Sequence, residues 1–100
     1  MFIAIVDLHT APADRPIALE RLESERPTVA AMPGCIAIRV FAAPDNDTEL
    51  TLLEEWEDEE AFRAYLDSES FAASGQVLRP LMTEPPASRR FRAELVETVA

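Results

Sequence analysis

Residues 52–82, LLEEWEDEEAFRAYLDSESFAASGQVLRPLM, carry a strand into a tryptophan, then an acidic turn, a helix and a second short helix. Glu49–Trp56 reads as the strand, and Phe62, Tyr65 and Leu66 recur after it at helical spacing. The acids at 57–60 lie where the positive end of a helix dipole favours negative charge. Ser68 or Ser70 is placed to cap the second helix, which carries Phe71, Leu78, Leu81 and Met82 before Pro85-Pro86 stops it. Such a segment points to an α+β fold, because the strand needs a sheet and the helices need one face of that sheet to cover.

Upstream, Phe2–His9 mixes β-branched and small apolar residues and reads as a strand with two largely apolar faces, Phe2, Ala4, Val6, Leu8 and Ile3, Ile5, Asp7, His9. Asp14 is placed as a helix N-cap with Pro16 in the first turn, and Ala18, Leu19 and Leu22 form the buried stripe. Pro27 predicts a kink or restart, with Val29 and Met32 continuing the same face up to Pro33-Gly34. Residues 35–41 form the second strand, 43–48 (APDNDT) a polar turn, and 89–99 (RRFRAELVETV) a last alternating strand.

Strand, helix, strand, strand, helices, strand is the order of a ferredoxin-like βαββαβ sandwich, an α+β fold with helices on one face of a four-stranded antiparallel sheet. The other face holds Ile3, Ile5 and Leu53, together with one row from each remaining strand. Left in water, that patch exceeds what a soluble monomer tolerates, so pairing of two sheets face to face predicts a homodimer.

One hundred residues, 48% of them hydrophobic, suit a single domain spanning 1–100. A net charge of −10 repels phosphate backbones and anionic lipid, which argues against nucleic-acid and membrane partners. The apolar run at 1–6 is broken by Asp7 and lacks a basic flank, so it does not read as an export signal, and no segment is long enough to span a membrane. A single cysteine, Cys35, allows no internal disulfide, and a reducing cytoplasm fits.

Glu55, Trp56, Asp58, Phe62 and Phe71 form a pattern that resembles the antibiotic biosynthesis monooxygenase family. There an apolar strand ending in an acid and a tryptophan leads into an acidic turn, a phenylalanine or leucine, a helix and another aromatic. The resemblance extends to the MPGC turn at 32–35 and covers nearly the whole chain. It implies a dimer closed by its sheets, and a cavity between sheet and helices lined by Val6, Leu52, Trp56, Phe62, Tyr65 and Phe71. Family members with quinol or anthrone oxygenase activity often present an amide and a tyrosine where this chain has Leu52 and Phe62. Two histidines common in other members fall at Tyr65 and Ser70. Positions matching the haem-binding residues of haem-degrading relatives are Val6, Tyr65 and a site near Ser74 or Gly75, so no haem ligation is expected.

The function implied by this resemblance is a cofactor-independent monooxygenase acting on a quinol or polycyclic phenol, an aromatic small molecule that serves as its own reductant. Trp56 and Tyr65 are then the catalytic hydrogen-bond donors, and no flavin, haem or metal is expected. The alternative is a non-catalytic small-molecule-binding or accessory dimer of the same fold, a reading that Leu52 and Phe62 support. Trp56 can equally cap the core. His9 falls on the dimer-side face. Glu54 and the acids at 57–60 read as a solvated, dipole-matched cap, their side chains scattered over different faces. Arg89, Arg90 and Arg92 can hold an anionic group or pair with the acidic surface of this or the other subunit. Cys35 reads as a small buried hydrophobe.

Overall fold

In the computed structural model, which describes residues 1–100, β1 (Phe2–His9) lies inside the sheet between β3 (Glu49–Trp56) and β4 (Ala87–Arg92). β2 (Cys35–Ala42) is outermost beyond β3, and every neighbouring pair is antiparallel. The strand order β2-β3-β1-β4 is that of the expected ferredoxin-like α+β fold. Register pairs Phe2 with Trp56, Ala4 with Glu54, Val6 with Leu52 and Leu8 with Leu50. Opposed residues point the same way, so all of these share the face that the helices cover.

α1 (Arg15–Ala30) packs on that face through Ala18, Leu22 and Val29. Asp14 precedes it but makes no side-chain cap, because a 3-10 turn at Pro12–Asp14 already directs the amides of Asp14 and Arg15 to the Ala11 carbonyl. Nor does the helix restart at Pro27, since it runs from Arg15 to Ala30 as one element. Pro27 faces solvent in the last turn while Val29 is held in the core, so packing outweighs one missing N–H.

α2 (Glu59–Leu66) is capped by Asp58, whose carboxylate accepts from the Ala61 amide at 2.8 Å. α3 (Glu69–Leu78) is capped by Ser68, not Ser70, through a 3.2 Å hydrogen bond from the Phe71 amide to the Ser68 hydroxyl. Pro80 cannot continue the helix, and the chain tightens into a 3-10 turn at Arg79–Leu81. The last strand is shorter and earlier than the alternation at 89–99 predicts. β1 begins at Phe2, opposite Arg92, so β4 runs out of partner there, and only the Ala93–Met1 backbone contact lies beyond. Leu95, Val96 and Val99 are exposed. No helix is long and apolar enough to cross a membrane.

Two core clusters result. One gathers Phe2, Ala4, Val29, Ile38, Leu52, Trp56, Phe62 and Tyr65; the other gathers Leu8, Ala18, Leu22, Leu50 and Leu78. Val6 touches both. The opposite sheet face carries Ile3, Ile5 and Leu53, half-buried, with Phe41 and Phe91 exposed beside them. It is more polar than an all-apolar patch: Thr51 donates to Asp7 at 2.8 Å, and Arg89 lies 3.9 Å from the same carboxylate.

Candidate functional site

Where the two clusters meet, sheet and helices leave a cavity of about 280 Å³. β1 and β3 supply Val6, Leu8, Leu52 and Glu54; α2 supplies Phe62, Tyr65 and Leu66. α3 contributes Phe71, Ser74, Gly75 and Leu78, residues whose three- and four-residue spacing aligns them on one stripe, and Arg90 and Ser88 of β4 close the far wall. Five residues expected in the lining, Val6, Leu52, Phe62, Tyr65 and Phe71, are thus brought together. Tyr65 is the hub of the aromatics, 5.2 Å from the Phe71 ring edge-on and 6.5 Å from Phe62. Two larger grooves, at Met1 with Asp58 and at Met32 with Glu60, lie open to solvent and carry several carboxylates on their walls; the second also exposes Met32, Pro33, Ala61 and Ala64.

Trp56, expected in the lining, is not part of it. Its side chain is fully buried behind Tyr65, whose ring stacks on the indole at 5.2 Å and 26°. Tyr65 of α2 covers the indole and itself borders the cavity. Trp56 reaches the site through a hydrogen bond, Nε1 to Glu54 Oε1 at 3.1 Å.

Glu54 corrects the reading of the acids as a solvated cap. Only 2% exposed, it lies on the helix-facing row between Leu52 and Trp56 and borders the cavity. Burial pushes its carboxyl up to about 7, against the Trp56 hydrogen bond and the charge of Arg90, which pull it down. Strand alternation carries the signal: Leu50 and Leu52 mark the buried row, and Glu54 is next on it. Burial, with the Glu54 charge second, holds the Tyr65 phenol well above its usual range, so that it remains a donor. Burial and Glu54 also raise the Cys35 thiol, away from nucleophilic character.

The arginine cluster divides. Arg92 pairs with Glu59 and Arg89 approaches Asp7, whereas Arg90 turns to the cavity with its guanidinium 4.9 Å from the Phe62 ring centre. His9 lies outside the cavity, its Nδ1 2.9 Å from a Glu84 carboxylate oxygen.

A small, mostly apolar chamber bordered by one carboxyl that burial pushes up to about 7 can hold an apolar molecule and exchange a proton with it. The sequence pattern of the antibiotic biosynthesis monooxygenases matches residues 1–76, and the chain belongs to that family. Among solved structures, it is similar to Rv0793 from Mycobacterium tuberculosis, with 21% identity, 98% of each chain covered and a TM-score of 0.86. A conserved protein from Methanosarcina mazei Go1 is similar at 22% identity, 94% of each chain and a TM-score of 0.86. An antibiotic biosynthesis monooxygenase matches at 18% identity over 95% of this chain and 100% of its own, again with a TM-score of 0.86. At these identities the likeness establishes the fold. No curated protein matches the chain significantly.

Proposed function

We propose that the protein is a cofactor-independent monooxygenase that oxidises an electron-rich quinol or polycyclic phenol, working as a homodimer. One observation carries this reading: a carboxyl held near pH 7 inside an aromatic-walled cavity. A base of that strength takes the proton of an acidic phenol or enol at neutral pH. Tyr65, still protonated, is the donor for the resulting oxyanion.

The substrate supplies the electrons. Its anion passes one electron to dioxygen, the radical pair joins as a carbon-bound peroxide, and loss of the geminal C–H proton with O–O cleavage leaves a carbonyl and one water. For an anthrone the balance is CH₂ plus O₂ to C=O plus H₂O, which needs no outside reductant. Leu52, Phe62 and Phe71 keep water from the anion. Trp56 acts through Glu54 as a positioning residue. Ile3, Ile5, Leu53 and Phe91 on the uncovered sheet face support the homodimer.

Oxygen uptake with anthrone, and ¹⁸O from labelled dioxygen in the product carbonyl, test the proposal. Uptake above autoxidation that disappears in Glu54→Gln is the expected result. Saturable binding of electron-rich phenols without oxygen uptake would leave the binding or accessory dimer as the better reading.

A further inference from the structure

The charges around the cavity do not balance. The chain has nineteen acids to nine bases, so its arginines have carboxylates in excess. Arg21, Arg26, Arg63, Arg89 and Arg92 each reach one. Of the other four, Arg15 donates to the Ala43 and Asn46 carbonyls and Arg39 is exposed on β2, whereas Arg79 and Arg90, which also reach no carboxylate within ion-pair distance, both border the same cavity of about 280 Å³. Arg90 is held only by the Ser88 hydroxyl, 3.3 Å from its Nε, and by the Phe62 ring.

Arg79 stands at the end of α3, where a cation suits the helix dipole. The dipole does not explain its direction. The guanidinium folds back along the helix, its Cζ 3.6 Å from where a Cβ on Gly75 would stand, and so joins the cavity wall. Ser74, the neighbouring wall residue, has a buried hydroxyl with no hydrogen-bond partner. Three groups with unused donors therefore meet one carboxyl, Glu54, that is half-neutralised near pH 7. A site of this composition is cationic inside a strongly acidic protein, and a ligand with a negative group balances it.

We propose that the cavity takes an aromatic acid, its ring seated among Phe62, Tyr65 and Phe71 and its carboxylate held between Arg79 and Arg90. This rests on the oxygenase reading only in sharing its cavity, and it narrows the substrate class to phenols or quinols that carry a carboxylate. Guanidinium–carboxylate hydrogen bonds fix orientation as well as affinity, so the acid group would set which ring carbon meets dioxygen.

Anaerobic calorimetry with 1,4-dihydroxy-2-naphthoic acid and 1,4-naphthohydroquinone, the same ring with and without the carboxylate, separates the ideas. Wild type should bind the acid about tenfold or more tightly than the neutral quinol, the usual effect of charge-assisted hydrogen bonds. Arg79→Gln, and further the Arg79→Gln/Arg90→Gln pair, should remove that preference while neutral-quinol affinity holds within about twofold. Equal binding of the two ligands, or a preference that survives in the double variant, overturns the proposal and leaves the oxygenase reading standing. Acid preference without oxygen uptake by either ligand keeps the proposal and removes the oxygenase. Binding of neither ligand overturns the aromatic-acid proposal, and oxygen uptake with anthrone then decides the oxygenase reading on its own.

Discussion

Trp56 Nε1 donates a 3.1 Å hydrogen bond to Glu54 Oε1, joining the only tryptophan to the carboxyl two residues before it on the same face of β3. Opposing effects act on that carboxyl. Burial favours the protonated form, the indole N–H and the Arg90 charge favour the anion, and the result lies near 7. A group so placed changes charge within the physiological range, which suits a base and burdens the fold.

That burden is measurable. Moving a carboxyl from 4.5 to about 7 makes its ionised form cost about 3 kcal/mol. The folded chain keeps a proton that the unfolded chain releases, so stability falls as pH rises from 4.5 to about 7, and the full cost is present above that window. Glu54→Gln keeps an acceptor for the indole and abolishes the titration. Urea denaturation at fixed protein concentration should show the variant gaining on wild type as pH rises, by about 1–3 kcal/mol at pH 8, with no gain at pH 4. Parallel pH profiles would mean that Glu54 is not buried as described.

Trp56→Phe tests the same bond from the other side. Its removal deletes an influence that lowers the Glu54 pKa, so the carboxyl should ionise at higher pH. The acidic limb of the kcat/KM profile should move upward by about half a pH unit or more, with substrate affinity above that limb little changed, because Trp56 does not border the cavity. A fall in rate at every pH without displacement of the limb would reduce Trp56 to a packing role.

Gly34 allows a stability prediction remote from the cavity. It turns the chain from α1 into β2 at φ +81°, and a Cβ there would lie 2.5 Å from the Ala61 Cβ of α2. Gly34→Ala should cost about 2–3 kcal/mol, from backbone strain and overpacking together. Denaturation midpoints within a few tenths of wild type would show that α2 gives way freely.

Most of the architecture is legible in the sequence, because period-two rows and cap residues are local signals. Phe2, Ala4, Leu50 and Leu52 announce the covered face, and Asp58 and Ser68 announce two helix starts. Glu54 is harder to read because it adjoins a run of acids that does cap a helix, and only the alternation of β3 separates it from them. For Trp56 the strand leaves core and pocket equally open, and the core position follows from a tertiary contact, since nothing in its own strand reveals that Tyr65 stacks across it. The length of β4 depends on where β1 begins, a partner effect that its own alternation does not contain.

The uncovered sheet face bears on assembly. Ile5 stands opposite Leu53 on β3 and Arg89 on β4, inside the surface that a second sheet would cover. Ile5→Glu places a charge there without an added partner and should shift sedimentation at micromolar concentration from dimer to monomer, with far-ultraviolet circular dichroism unchanged. A wild-type monomer at that concentration overturns the homodimer.

Tyr65→Phe removes one hydroxyl while keeping the ring that stacks on Trp56 and meets Phe71 edge-on. If the cavity only binds, the loss is at most one hydrogen bond, about 0.5–1.5 kcal/mol of affinity. If the phenol donates to an oxyanion that develops during reaction, affinity stays nearly constant and turnover falls by about a hundredfold or more. In either case the hydroxyl stays protonated across the pH range in which Glu54 becomes a base, so the comparison is not complicated by ionisation of Tyr65. Titration of Trp56 fluorescence with anthrone under anaerobic conditions measures the affinity, and oxygen uptake measures the rate. Unaltered turnover removes Tyr65 from the mechanism and leaves Glu54 as the cavity's proton-handling group.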